Sequence, residues 1–293
     1  MARKLPKYPI YVISKGRHDV CHTANFLEKD KVPYHLVVEP QEADLYINKY
    51  GKDKVYILPF SNLGQGSIPA RNWVWEHSKT IGAEKHWILD DNIRGCYRYY
   101  QGKRIYCNSN AAFKCCEEFT DRYENIALSG LNYSTFVVGA GKKPFYHNVH
   151  VYSFILIRND LKQRWRGRYN EDTDLCLQVL SDNWCTILLN AYCCQKIATM
   201  TMKGGNSDQL YKGDGRLKMA NSLKRMWPKV VDVTRRFQRP QHKIVFEWRR
   251  FDTPLIKKKN LKIKNKKNNL GQKLVAVGKV KSKMLKGMLK ENE

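Results

Sequence analysis

The sequence predicts an α/β fold, a mainly parallel central sheet flanked by helices, followed by a basic C-terminal extension. Short β-branched and aromatic runs alternate with amphipathic stretches of helical length, the spacing of βαβ units. Each run stops at a proline or a polar loop, the punctuation of buried strands. Beyond Pro254 the chain turns to Lys and Asn, with too little apolar content to build a core.

The first strand is Ile10-Tyr11-Val12-Ile13, bounded by Pro9 and by the polar loop Ser14-Lys15-Gly16-Arg17. A helix from Thr23 to Lys29 ends before Pro33, and a second strand, Tyr34 to Val38, stops at Glu39-Pro40. Residues 41 to 50 have helical composition, Gly51 follows, and Val55 to Leu58 is a third strand ended by Pro59. Gly64-Gln65-Gly66-Ser67-Ile68-Pro69-Ala70-Arg71-Asn72 then opens a helix running to Gly82. Its glycines allow close backbone approach, Pro69 suits a first turn, and the free N–H groups of the helix start can meet an anion beside Arg71. Gly-x-Gly alone is weak evidence of phosphate binding.

The strand His86 to Leu89 runs straight into Asp90-Asp91-Asn92. Ligands of open α/β sheets bind at the carboxyl ends of strands. Hard oxygens crowded there suit a divalent cation (Mn2+ or Mg2+) that also takes substrate phosphates. The same residues are ordinary turn formers.

Residues 94 to 104 interleave Tyr with Arg and Lys, which suits bases and phosphates, or a solvated hairpin with its tyrosines packed inward. Asn110 to Asn125 reads as helix, and Phe136 to Val138 and Val149 to Ile157 as strands. His147 and His150, three apart on a strand, would face opposite ways, so they are not read as a metal pair. Glu171-Asp172-Thr173-Asp174 opens a helix in which Leu175 and Val179, and Cys176 and Leu180, recur at i and i+4. Three acids in a first turn complement the helix dipole and leave room for one to be a general base. Thr186 to Leu189 is another strand. Lys203-Gly204-Gly205-Asn206 is a flexible loop whose cation suits closure over a ligand, and Lys243 to Trp248 is a late strand or docking segment. These readings divide the chain into a folded domain, 1–228, a docking segment, 229–256, and a flexible lysine-rich tail, 257–293.

A formal net charge of +26 calls for a polyanionic partner, nucleic acid before anionic lipid. The tail from Lys257 holds 13 Lys against Glu291 and Glu293, which leaves +15 on the body. Nine cysteines without a C-x-x-C pair point to free thiols in a reducing cytoplasm. The longest aliphatic run, Phe154 to Ile157, is far too short for a bilayer, so a soluble cytoplasmic protein without a membrane partner is expected. The oligomeric state has no signal in the sequence.

Taken together, Ile13-Ser14-Lys15-Gly16-Arg17, Val38-Glu39-Pro40, Gly66-x-x-x-Ala70-Arg71-Asn72, Leu89-Asp90-Asp91-Asn92 and Glu171-Asp172-x-Asp174-Leu175 resemble the GT-A glycosyltransferases over residues 8 to 210. Within them the chain is similar to the phage-type TET-associated glycosyltransferases. The resemblance implies a GT-A-like fold over 1–228 and sugar transfer from a UDP-sugar to the hydroxymethyl group of a modified base, 5-hydroxymethylcytosine, in duplex DNA. It also implies a phage protein acting in an infected host's cytoplasm. By the same resemblance Ser14, Lys15, Arg17 and Glu39 border the nucleotide, Arg71, Asn72 and Lys203 help to hold it, and Asp90, Asp91 and Asn92 organise metal and diphosphate. Asp172 is then the general base, supported by Glu171 and Asp174. The acidic motif departs from the wider superfamily in carrying neutral Asn92 where many relatives have a third acid. A glycan, lipid or protein acceptor, and a non-enzymatic nucleic-acid-binding protein, are the alternatives.

Overall fold

Side chains of β1 (Ile10–Ile13) alternate, Ile10 and Val12 entering one apolar cluster and Tyr11 another. A strand apolar on both faces needs cover on both. The computed structural model describes residues 5–197, 204, 215–236, 238–245, 248 and 250–259. Contacts divide the chain into two units, Met1–Ile256 and Lys257–Glu293.

The first unit carries β2 (His35–Val38), β3 (Val55–Ile57), β4 (Lys85–Asp90), β5 (Ile93–Tyr100) and β6 (Lys103–Cys107). It continues with β7 (Ile126–Tyr133), β8 (Phe145–His147), β9 (Phe154–Arg158) and β10 (Cys185–Lys196). Together these ten form one sheet in the order β3-β2-β1-β4-β9-β7-β10-β5-β6, with β8 also on β10. Pairing is parallel from β3 to β4 and between β7 and β10, and antiparallel where β9 lies between β4 and β7. The carboxyl ends of β1, β4, β7 and β10 and the amino end of β9 therefore share one edge. Helices α1 (His22–Asp30), α2 (Ala43–Tyr50) and α4 (Ser109–Thr120) cover the Ile10 face. Helices α3 (Ile68–Thr80) and α5 (Glu171–Ser181) cover the Tyr11 face.

Several segments differ from the sequence expectation. Central strand β7 was not expected, because Ser129, Gly130 and Asn132 interrupt its apolar pattern. Its polar groups are satisfied inside: Ser129 Oγ lies 2.7 Å from Thr120 Oγ1, and Asn132 donates to Asn190 Oδ1 at 2.9 Å. A Cβ on Gly130 would stand 2.3 Å from the Phe154 carbonyl, so only glycine permits the β7–β9 approach. Phe136 to Val138, expected as strand, is a turn with Phe136 and Val138 exposed. Residues 149 to 153 precede β9 as loop, and His150 lies in that loop.

The basic aromatic stretch is the β5–β6 hairpin, with Tyr97 and Tyr106 edge to face at 5.5 Å. Further on, α6 (Gly215–Met226) and the antiparallel pair β11 (Val231–Arg236) and β12 (Arg239–Ile244) close a third small core around Leu177 and Leu223. The expected late strand thus begins earlier and ends at Ile244. Asn148 then ties down the carbonyls of Phe251 and Thr253, and Asn125 that of Pro254. All nine cysteines are free. Among the described residues no helix is long and apolar enough to cross a membrane.

Candidate active site

Alternation along β4 separates the acidic pair. Trp87 and Leu89 belong to the Ile10-face core and Ile88 to the other, so Asp90 follows Ile88 towards α3 while Asp91 turns back towards α1 and α2.

Asp91 is buried at the end of β1. Its Oδ1 receives Arg17 Nη1 at 2.5 Å and its Oδ2 receives Ser14 Oγ at 2.8 Å. Tyr46 links the cluster, its hydroxyl 2.7 Å from Ser14 Oγ and accepting the Arg17 amide at 3.1 Å. Burial raises the Asp91 pKa, and Arg17 and Ser14 offset that only in part. Beside this cluster Lys15 Nζ donates to Glu39 Oε2 at 2.6 Å and to Asn62 at 2.9 Å. Burial alone would raise the Glu39 carboxyl, but the bonds from Lys15, Gln41 and the Asn62 amide hold it below its usual value. Ser14, Lys15, Arg17 and Glu39 are thus gathered at the ends of β1 and β2. Arg17 Nη2 also reaches the Gly204 carbonyl at 3.0 Å. A Cβ on Gly204 would stand 2.4 Å from the Gly16 carbonyl, so only glycine permits this approach of the backbone at 204 to the loop after β1. Neighbouring Lys203, expected to help hold the nucleotide, lies outside the described residues.

Asp90 stands between two cations. Arg71 Nη2, from the first turns of α3, donates to Oδ1 at 2.9 Å, and Lys196 Nζ, from the end of β10, donates to Oδ2 at 2.8 Å. Burial would raise the Asp90 carboxyl, but Lys196 and Arg71 prevail and hold it at about 2. Lys196 also donates to Ser153 Oγ at 2.7 Å, and Ser153 in turn meets the Tyr133 hydroxyl at 2.6 Å. Arg71 is 4% exposed, stacks over Trp165 at 4.6 Å and approaches Glu171 at 3.4 Å. Ser67 bridges them, accepting from Arg71 Nε and donating to Glu171 Oε1, each at 3.0 Å.

Asn170 opens α5 from the left-handed region, φ 53°, which asparagine tolerates better than most residues. The first turn then presents Glu171 and Asp172. Asp172 Oδ1 accepts the Thr173 amide at 2.7 Å and Oδ2 lies 3.4 Å from His150 Nε2. Burial would raise the Asp172 carboxyl, but His150, the Thr173 amide and Arg71 overcome this and hold it well below the usual carboxylate range. Glu171 moves the other way, raised first by burial and further by Asp172, against the pull of Arg71. Two adjacent acids with pKa values pushed apart suit a division of roles, one permanently ionised and one readily protonated.

The family model of the TET-associated glycosyltransferases matches residues 8–205, from β1 through β10. The chain belongs to this family. No curated protein matches it.

In this glycosyltransferase two expected site residues act at one remove. Asn72 turns both ends of its amide to Trp165, donating to its carbonyl at 2.9 Å and accepting its amide at 3.1 Å, which seats the indole against Arg71. Asp174 is wholly buried and binds Arg166, Gln178 and the Trp227 indole, so it anchors α5 to its neighbours and does not face Asp172.

The three residues expected to hold a metal do not fit one as placed. Asp90 has a cation on each oxygen, Asp91 is committed to Arg17, and the Asn92 Oδ1 is buried without a partner among the described residues. Among the described residues no group of three His, Cys, Asp or Glu is arranged to take an ion.

Two residues that the sequence did not single out for the site stand in it. His150 was set aside on strand parity, which does not apply in a loop. Its ring stacks on Trp248 at 6.0 Å and meets Tyr152 edge to face at 4.9 Å. Lys196 carried no local motif, and its only signal is a lone cation ending an otherwise apolar, cysteine-rich strand.

Proposed function

We propose that this glycosyltransferase moves a sugar from a UDP-sugar to the hydroxymethyl group of a modified base, 5-hydroxymethylcytosine, in DNA. The observation that carries the reading is Asp172 at the start of α5, oriented by His150 and the Thr173 amide. A carboxylate so held accepts the proton of the acceptor hydroxyl as that oxygen attacks the anomeric carbon. The bond from the anomeric carbon to the diphosphate oxygen breaks, the electron pair leaves with UDP, and configuration inverts. Ser14, Lys15, Arg17 and Glu39 would border base and ribose at the ends of β1 and β2.

DNA as acceptor is supported by the net charge of +26, of which +15 lies outside the tail. The exposed β6 strand, with Lys103, Arg104 and Tyr106, offers cations and an aromatic surface of the kind that meets a nucleic-acid backbone. A hydroxymethyl group on cytosine projects into the major groove, so duplex DNA presents it with or without base flipping.

The test is transfer of labelled sugar from a panel of UDP-sugars to DNA containing 5-hydroxymethylcytosine, beside unmodified DNA and the Asp172→Asn variant. Label confined to the modified DNA, and reduced roughly a hundred- to ten-thousandfold in the variant, is expected. Label on unmodified DNA, or full activity in Asp172→Asn, overturns the reading.

A further inference from the structure

We propose that Arg71 and Lys196 together form the diphosphate-binding site of this enzyme, supplying the positive charge a divalent cation would bring, so that donor binding needs no metal. The inference rests on the nucleotide-sugar reading above and specifies how the leaving group is held.

Lys196 Nζ and Arg71 Nη2 flank one carboxylate, Asp90, at the edge where the strand ends converge. A dication entering here would have to strip one of these cations from Asp90 and then share the site with it. Asp91 cannot help, since it faces Arg17. An incoming diphosphate, by contrast, meets donors already fixed in place, and such preorganised charge is worth more than the same charge in water.

The placement of both cations is built in. The β10–β5 register shifts between Gln195 and Lys196, and such an irregularity re-aims the side chain that follows it. Ser153, whose hydroxyl accepts a hydrogen bond from Lys196, sits at φ 59°, a left-handed conformation uncommon for serine. Its carbonyl accepts the Asp90 amide at 2.9 Å, so one residue fixes both the acid and the lysine. Arg71 is held by Ser67 and Trp165, yet its Nη1 is buried with no hydrogen-bond partner among the described residues. A buried donor left open beside a cluster of charged groups marks a place a ligand can fill. Glu171, the other acid beside Arg71, has its pKa raised by burial, so Asp90 is the carboxylate that both cations touch directly.

The experiment is calorimetric titration of the full chain with UDP and, separately, with inorganic pyrophosphate, in EDTA and in Mn2+. Wild type, Lys196→Met and Lys196→Arg are compared, each first checked for a cooperative thermal transition. The expected result is the same UDP affinity in EDTA and in Mn2+. Lys196→Met should weaken both probes about tenfold or more, the loss of a charge-assisted hydrogen bond, and Lys196→Arg should recover most of it. UDP binding that appears only with Mn2+ overturns the inference and leaves the donor reading standing, as does unchanged affinity in a folded Lys196→Met. Pyrophosphate binding in EDTA that depends on Lys196, without any UDP binding, sinks the donor reading and keeps the anion site. Binding of neither probe sinks both.

Discussion

Asp90 and Asp91 are neighbours in the chain, yet their carboxylates are neutralised from opposite faces of the sheet, Asp90 by Arg71 from α3 and Asp91 by Arg17 from the loop after β1. The two acids therefore do different work. Asp91 holds together the loop expected to border the nucleotide, and Asp90 spaces two cations.

Asp91→Ala should destabilise the fold by about 3 kcal/mol or more, because it leaves the buried Arg17 guanidinium without its carboxylate. Restoring volume without charge in the double variant Asp91→Leu, Arg17→Met should regain much of that. Urea denaturation of the three proteins measures both effects. A single variant as stable as wild type would contradict the placement.

Asp90 predicts an acid limb in stability. Its carboxyl sits at about 2 in the fold against an ordinary 3.8, so it stabilises the native state above pH 3.8 and loses that contribution as the pH falls through 2. The size is on the order of 2 kcal/mol, since each pKa unit is about 1.4 kcal/mol. Asp90→Asn should lack this part of the limb. Denaturation midpoints between pH 5 and about 2, compared for the two proteins, show whether it does.

With Asp172 as the general base, His150 should set the pH dependence of catalysis. Once burial has raised the Asp172 carboxyl, His150 is the main group that brings it down. His150→Gln should therefore raise that pKa and move the acid limb of kcat to higher pH, with UDP affinity little changed. A pH–rate profile is the readout. A uniform fall in kcat with an unmoved limb would assign His150 a packing role only.

Gly130→Ala should cost about 1–3 kcal/mol, as overpacking against backbone does, because its Cβ would meet the Phe154 carbonyl at 2.3 Å. The carbonyl belongs to a strand paired on both sides and cannot step back. Differential scanning calorimetry should show a lower Tm with an unchanged single transition.

The parallel half of the sheet was legible because β1 to β4 are unbroken apolar runs closed by Pro or polar residues, and the βαβ spacing left little choice. Strand β7 was not legible, since burial of Ser129 and Asn132 depends on partners such as Thr120 and Asn190 that no local pattern reveals. Phe136 and Val138 misled in the other direction, β-formers standing exposed in a turn. At the site, residues on short motifs form two clusters, Ser14, Arg17 and Asp91 in one and Arg71, Asp90 and Glu171 in the other, a parting of Asp90 from Asp91 that their adjacency in the sequence did not suggest. Lys196 was missed because its meaning is its contact with Asp90, 106 residues away.

That last contact has a consequence for how the protein comes into being. The cation cluster draws on α3, β4, the turn before β9 and the final residue of β10, so it exists only once the central sheet is complete. A chain stopped short of residue 196 lacks half the charge beside Asp90. On the diphosphate reading, competence to hold the donor belongs to the whole sheet and to no part of it. A bound nucleotide would favour only the finished fold, and the same ligand becomes a reporter of correct assembly.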